Sequence, residues 1–225
     1  MSLHLRRDLE NLNRQVLVHA GRVEQLVDEA VKALCDRRYD LVQQILSEDD
    51  VVDRDEVRLE EDCLKALALH QPVASDLRRI TTILKINVDL EGIADLGCNI
   101  AERAACLQAF PYFPTPDELA TMAENACLML RLGLDAFVKS DTAQALSVIR
   151  MESRVDDQNR DIIRELSTLI TRDTNLVEPA LHVFSAAQNI EQISDLAENI
   201  AEEIIYMIDG EIVRHKFSAS QKAKT

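Results

Sequence analysis

Residues 89–102 and 189–202 are two copies of one segment. Asp89-Leu-Glu-Gly-Ile-Ala-Asp-Leu-Gly-Cys-Asn-Ile-Ala-Glu102 aligns without gaps on Asn189-Ile-Glu-Gln-Ile-Ser-Asp-Leu-Ala-Glu-Asn-Ile-Ala-Glu202, and 8 of the 14 positions are identical. Two unrelated helices of ordinary composition do not match to that degree. The apolar positions recur with the ~3.6-residue period of an α-helix, so the duplicated unit is helical. A unit of about 100 residues present only twice is too long and too few for a solenoid. The economical arrangement is two antiparallel three-helix bundles side by side, an all-α fold.

The rest of the 225 residues fits six helices, because only five Gly and five Pro interrupt the chain. Periodicity predicts them over about 8–35, 40–69, 72–107, 116–138, 141–170 and 175–210. Three of the prolines fall between Phe110 and Pro116 and mark the boundary. The first bundle is then 1–110, the linker 111–115, the second bundle 116–210 and the tail 211–225. Thr115-Pro-Asp-Glu118 reads as a helix start, with Thr as N-cap and Pro in the first turn. Asn175 with Glu178 reads as a capping box for the sixth helix. Trp is absent and aromatics are 4% of the chain, so Leu, Ile, Val and Ala must fill the core.

On a helical projection, Ile86, Leu90, Ile93, Gly97, Ile100, Ala101 and Ala104 form one stripe. Glu91, Asp95, Asn99 and Glu102 form another, roughly opposite. The second copy places Ile190, Ile193, Ala197, Ile200, Ala201 and Ile204 on the first and Glu191, Asp195, Asn199 and Glu202 on the second. Glu91 with Asp95, and Glu191 with Asp195, are carboxylate pairs one turn apart with no cation at the adjacent turns. Such a pair costs a few tenths of a kcal/mol on an isolated helix. Two explanations compete. The pairs face basic groups on another helix or another protein, or they share a hard cation, with Asn99 or Asn199 adding an oxygen. Asp49 with Asp53, and Glu152 with Asp156, are further i,i+4 pairs, one per half, at the edge of the apolar stripe. Arg54, Arg58, Arg154 and Arg160 are candidate counter-ions nearby in sequence.

Other chemistry finds little support. A net charge of −15 disfavours nucleic acid and anionic membrane surfaces. Arg214, Lys216, Lys222 and Lys224 form a short basic tail. The five cysteines (35, 63, 98, 106 and 127) form no CxxC and read as small core or boundary residues in a reducing compartment. His19, His70 and His182 stand alone, and HExxH, Glu-x-x-His pairs, Gly-rich phosphate loops and nucleophile elbows are missing. No signal pattern opens the chain and no apolar run reaches ~18 residues, so a soluble cytoplasmic protein is expected.

Pro72-Val-Ala-Ser-Asp-Leu-Arg-Arg79, Leu90-Glu-Gly-Ile-Ala-Asp95, Asn99-Ile-Ala-Glu102 and the second copy at 189–202 together resemble the PhoU family. The likeness covers nearly the whole chain in order, length and repetition. It implies two three-helix PhoU repeats in a cytoplasmic accessory of the phosphate-specific ABC transporter. Such proteins restrain phosphate uptake and hold a sensor kinase in its repressing state. The implied partners are the transporter's ATPase subunit, the sensor histidine kinase and a second copy of the chain in a homodimer. The resemblance also implies multinuclear iron or zinc clusters on repeated Glu/Asp-x-x-x-Asp motifs. The matching positions are Glu91, Asp95, Glu191 and Asp195, with Asp49, Asp53, Glu152 and Asp156 beside them. Gly92 and Gln192 stand where the family often has Arg. Two alternatives remain: a metal-dependent phosphoester hydrolase working on a carboxylate-bridged cluster, and a purely structural helical dimerisation protein.

Overall fold

A computed structural model describes residues 3–213. Six α-helices follow one another: α1 Leu3–Cys35, α2 Val42–His70, α3 Ala74–Leu107, α4 Glu118–Lys139, α5 Thr142–Arg172 and α6 Val177–Asp209. Short 3₁₀ turns at Tyr39–Leu41 and Thr174–Leu176 precede α2 and α5's successor α6. Among the described residues there is no strand, and no helix is long and apolar enough to cross a membrane. The basic tail from Arg214 onward lies outside the described residues.

Helix ends follow local chemistry. Asp141 caps α5, its Oδ1 accepting from the backbone N–H groups of Ala143 (2.9 Å) and Gln144 (3.0 Å). Gln71, just before Pro72, takes the left-handed conformation that ends α2, and Gly210 does the same for α6. Two expected starts differ. α4 begins at Glu118 with Asp117 as its N-cap and no side-chain capping bond, so Thr115 is not the cap. Asn175 does not cap α6: its side chain donates to Asp173 Oδ1 (3.0 Å), which also accepts the Asn175 backbone N–H. Asp173 outcompetes it because it precedes the 3₁₀ turn, where the free N–H groups lie.

The most extensive interface joins α3 to α6, one from each repeat. They run antiparallel: Lys85 meets Glu203 at one end, and a methyl group at Gly92 would lie 3.3 Å from Leu196 at the crossing. α1 packs behind α3 and α4 behind α6, α1 also touching α4. The predicted apolar stripes fill the interior: Ile86, Leu90, Ile93, Ile100, Ile190, Ile193, Ile200 and Ile204 are all at most 1% exposed. They form one continuous core across both repeats. Gly97 permits the closest approach, since a Cβ there would lie 2.5 Å from a Leu26 methyl of α1. At the seam, Lys85 Nζ contacts both Glu203 carboxylate oxygens (3.0 and 2.9 Å), and the Thr82 hydroxyl donates to the Glu203 carbonyl (3.4 Å). The inter-repeat connection is pinned: the Arg37 guanidinium donates to the carbonyls of Pro111 and Phe113, and Phe113 is buried.

Of the cysteines, Cys63 and Cys98 are buried and Cys35 and Cys127 half-buried, as a core or boundary role requires; Cys106 is exposed. Burial raises the pKa of the first four, so they remain thiols near neutral pH. His70 pairs with Asp8 (2.8 Å). His19 is different: it is 1% exposed and neither ring nitrogen has a hydrogen-bond partner. Burial lowers its pKa, and Arg22 adds to this against the opposing pull of Asp55. The unfolded imidazole therefore takes up protons at a higher pH than the folded one. The stability held above the unfolded pKa of 6.5 is lost as pH falls below it. His19→Leu is expected to raise stability by about 1–2 kcal/mol and to flatten the loss between pH 6.5 and 5, both measurable by urea unfolding. A variant less stable than the parent at both pH values would contradict this account.

Candidate metal centres

Three sides of α3 are occupied. Gly97 faces α1, Gly92 faces α6, and Asn87 faces α2, donating to the Glu56 carbonyl (2.9 Å). The remaining side is an outward stripe, with Glu91 half-buried and Asp95, Asn99 and Glu102 exposed. α6 matches it: Leu196 faces α3, Ala197 and Ile200 face Gly133 of α4, and Glu191 and Asp195 point outward. Glu202 departs from the pattern. It is 9% exposed, drawn into the α3–α6 groove beside Lys85 and Val88.

α2 and α5 bring their own acids to these stripes, so the eight predicted carboxylates form two groups. In the first, burial raises the Asp49 pKa, with Asp53 and Asp95 adding repulsion, while the neighbouring Cys98 thiol opposes the shift. Burial likewise raises Glu91, followed by the charges of Asp95, Asp53, Glu56 and Asp49. Asp49 Oδ1 is buried without a hydrogen-bond partner. In the second group, burial pushes Glu152 up to about 7, helped by Asp156, Asp195 and Glu191. Glu191 is also pushed up to about 7 by burial and then by Asp195 and Asp156. Asp195 is raised by burial and then by Asp156.

Two members were not singled out by the sequence reading. Glu198, pushed up to about 7 by burial and then by Glu152 and Glu202, joins the second group. Glu56, raised by burial and then by Glu60 and Asp53, joins the first. No sequence signal marked Glu56: the buried residues of α2 and α5 correspond at an offset of 103 (Ile45, Val52, Leu59 and Cys63 with Val148, Val155, Ile162 and Leu166), which sets Asp49 and Asp53 opposite Glu152 and Asp156 and Glu56 opposite Asn159. In α3 and α6, where the offset is 100, Cys98 falls opposite Glu198. The second group thus has a carboxylate where the first has a thiol.

The bland explanation, neutralisation by nearby arginines, accounts for little. Among the described residues, only Arg160 forms an ion pair with any of the eight acids, reaching Asp156 at 3.7 Å while binding Asp157 at 2.9 Å. Arg22 pairs with Glu48 and Asp55 instead. Apart from Arg160, the eight acids have no counter-ion among the described residues. At the same time, no three described Asp, Glu, His or Cys side chains converge as ligands to one ion.

The profile of the PhoU domain matches residues 19–104 and 119–204, the same span twice at an offset of 100. The chain belongs to the PhoU family. It is 36% identical over 209 residues to the phosphate-specific transport system accessory protein PhoU homolog of Pseudomonas aeruginosa, covering 92% of this chain and 86% of that one. The crystal structure of PhoU from Pseudomonas aeruginosa superposes with a TM-score of 0.88 at 35% identity, over 92% of this chain and 99% of that one. The phosphate transport system regulatory protein PhoU from Streptococcus pneumoniae shares the fold, with a TM-score of 0.86 at 23% identity over 93% and 99% of the two chains. The tandem three-helix PhoU repeats expected from the duplicated segment are therefore the architecture of this chain.

The residue types, though not gathered into a converged ligand set, match the donors of the metal that the PhoU resemblance implies. The donors are carboxylate oxygens, which take hard cations. Their pKa values are raised first by burial and then by one another's charge, the second of which a bound cation would offset, and Asp49 Oδ1 is buried without a hydrogen-bond partner. Gly92 lies in the seam against Leu196, so the missing Arg there allows close helix contact.

Proposed function

We propose that this chain is a cytoplasmic regulator of phosphate uptake and phosphate signalling, acting by binding the ATPase subunit of the phosphate ABC transporter and its sensor histidine kinase. One observation carries this reading: the likeness to proteins named as phosphate-specific transport system accessory proteins runs over 92% of the chain. A rigid scaffold with one continuous core suits a protein that acts by presenting surface. The direct check is affinity capture of the ATPase subunit and the kinase's cytoplasmic part by this chain, with and without phosphate. Binding of both is expected; failure to retain either under both conditions would remove the reading.

The two acidic groups supply cation sites in this proposal. Glu152, Asp156, Glu191, Asp195 and Glu198 hold one; Asp49, Asp53, Glu56, Glu91 and Asp95 hold the other. These residues would hold the cation, which when bound would supply positive charge that offsets the repulsion between acids of α5 and α6 and of α2 and α3. The second site should fill first, because Glu198 supplies a carboxylate where the first has the Cys98 thiol. Elemental analysis during iron or zinc titration is expected to show Glu191→Gln with Asp195→Asn abolishing the tighter class of sites. Equal uptake by this variant and the parent would refute the assignment.

A further inference from the structure

The described chain does not stop with α6. Gly210, at φ +76°, ends the helix in the left-handed conformation, and Glu211, Ile212 and Val213 follow. Val213 is buried, at 8% exposure. It and Ile212 line a hollow of about 210 Å³ with Thr81 and Lys85 of α3 and Glu202 and Tyr206 of α6. Glu202 lies about two turns before the end of α6. Past Gly210 the chain has therefore reversed, and it runs back along the seam between α3 and α6.

A larger hollow of about 400 Å³ continues in that direction. It shares Lys85 and Glu202 with the first and extends to Leu84, Val88 and Asp89 on α3 and to Asn199 on α6. Val88 is 61% exposed and gives the groove an apolar wall at its far end. Lys85, the one cation among the described lining residues, is held by both carboxylate oxygens of Glu203 at 3.0 and 2.9 Å. Asp89, Glu202 and Glu203 outnumber it. Glu202 and Glu203, at 9% and 5% exposure, lie where salt screens little. None of these three acids belongs to the two candidate cation sites.

The sequence beyond Val213 has matching chemistry: Arg214-His215-Lys216-Phe217. From Thr81 to Asp89, α3 rises about 12 Å. An extended chain covers that rise in about four residues, which brings position 217 level with Val88. We propose that the groove between α3 and α6 is the seat of this chain's own segment 214–217, with Arg214 and Lys216 answering the acids and Phe217 laid against Leu84 and Val88. Seated there, the segment straps the two repeats together across their seam. Arg214 comes first, nearest Glu202, and Phe217 last, nearest Val88. The same segment from a second copy competes at a disadvantage. Val213 is already seated at the mouth of the groove, and so short a tether holds the segment at an effective concentration on the order of millimolar.

The test is limited trypsin digestion of the full chain, with the cuts after Arg214 and Lys216 timed by mass spectrometry. Cutting tracks the fraction of segments out of the groove when seating is fast. Val88→Ser with Asp89→Asn leaves the tail sequence intact and should speed both cuts at least about fivefold over the parent at about 20 mM salt. At about 500 mM salt the ratio should shrink, because the ionic part of the seating is screened. Leu64→Ser, 52% exposed on α2, should be cut like the parent. Circular dichroism checks that each variant is folded. Zero-length carbodiimide cross-linking of mixed unlabelled and isotope-labelled chains then identifies the occupant. Lys216 joined to Asp89, Glu202 or Glu203 within one chain is expected. Mixed-label pairs would put a second copy's segment in the groove and overturn the proposal. Equal cutting of the parent and the paired variant at low salt would overturn it as well. Neither readout involves the transporter or the kinase, so the outcome is independent of the regulatory reading.

Discussion

Replacing Glu152 and Glu191 together by Gln should raise the melting temperature of metal-free protein at pH 8 by about 4–8 °C. The unfolded glutamates ionise near 4.5 and the folded ones near 7. Folding therefore favours their protonated forms, a contribution fully present below 4.5 and lost as pH rises through 7. The groups titrate together and remain partly solvated. The penalty at pH 8 is thus on the order of 2 kcal/mol, well below the sum of two independent shifts. For a chain of this size, 1 kcal/mol moves the melting temperature by about 2–4 °C. Two controls give the result its meaning. At pH 4.5 the variant and parent should melt together, since the parent's acids are then largely neutral. With iron or zinc at about 100 times its dissociation constant, the parent should gain about 2.7 kcal/mol at this site and the variant nothing there. A variant that melts below the parent at pH 8 without metal would mean these acids stabilise the fold, contrary to the argument.

The second large effect concerns the contact between Gly97 and Leu26. Leu26→Ala should cost about 2–5 kcal/mol, because it removes buried methyl groups and leaves a cavity that helices α1 and α3 cannot collapse to fill. Gly97→Ala alone should cost about 1–3 kcal/mol, because its Cβ would meet the Leu26 methyl at 2.5 Å in a packed core. Combined, the two changes should cost less than their sum by at least about 1 kcal/mol, the new methyl occupying space that Leu26 has vacated. Urea unfolding of the four proteins of this double-mutant cycle decides the matter. Strict additivity would show that the two residues are not in contact. Position 197 is already Ala, and the second repeat accommodates it against Gly133 of α4.

Much of this architecture was legible because a buried helix must repeat its apolar period, and the duplication printed that period twice. Glu91, Asp95, Glu191 and Asp195 were placed on the outer stripe by the same register. The limits are equally physical. The i,i+4 spacing of Asp49 and Asp53 identifies a pair on one helix, but it cannot say which turn of α2 lies opposite Glu91. Glu56 also reaches that carboxylate, and only the interhelical register reveals it. Glu202 reads as exposed on a single-helix projection, which contains no neighbour; the antiparallel α3 beside it closes the groove. Capping failed for a related reason. Thr115 and Asn175 carry suitable side chains, yet α4 starts after Asp117 with no side-chain capping bond, and Asp173 is placed to accept the first free N–H of the turn before α6.

The continuous interior that spans both repeats bears on how such a chain can arise and be divided. A fragment ending at Phe110 would leave bare the aliphatic flank of α3 that α6 now covers. Its cheapest remedy is a sister fragment laid head to tail, reproducing between two molecules the junction that the full chain makes within one. Two such halves joined end to end would have the topology of the present polypeptide.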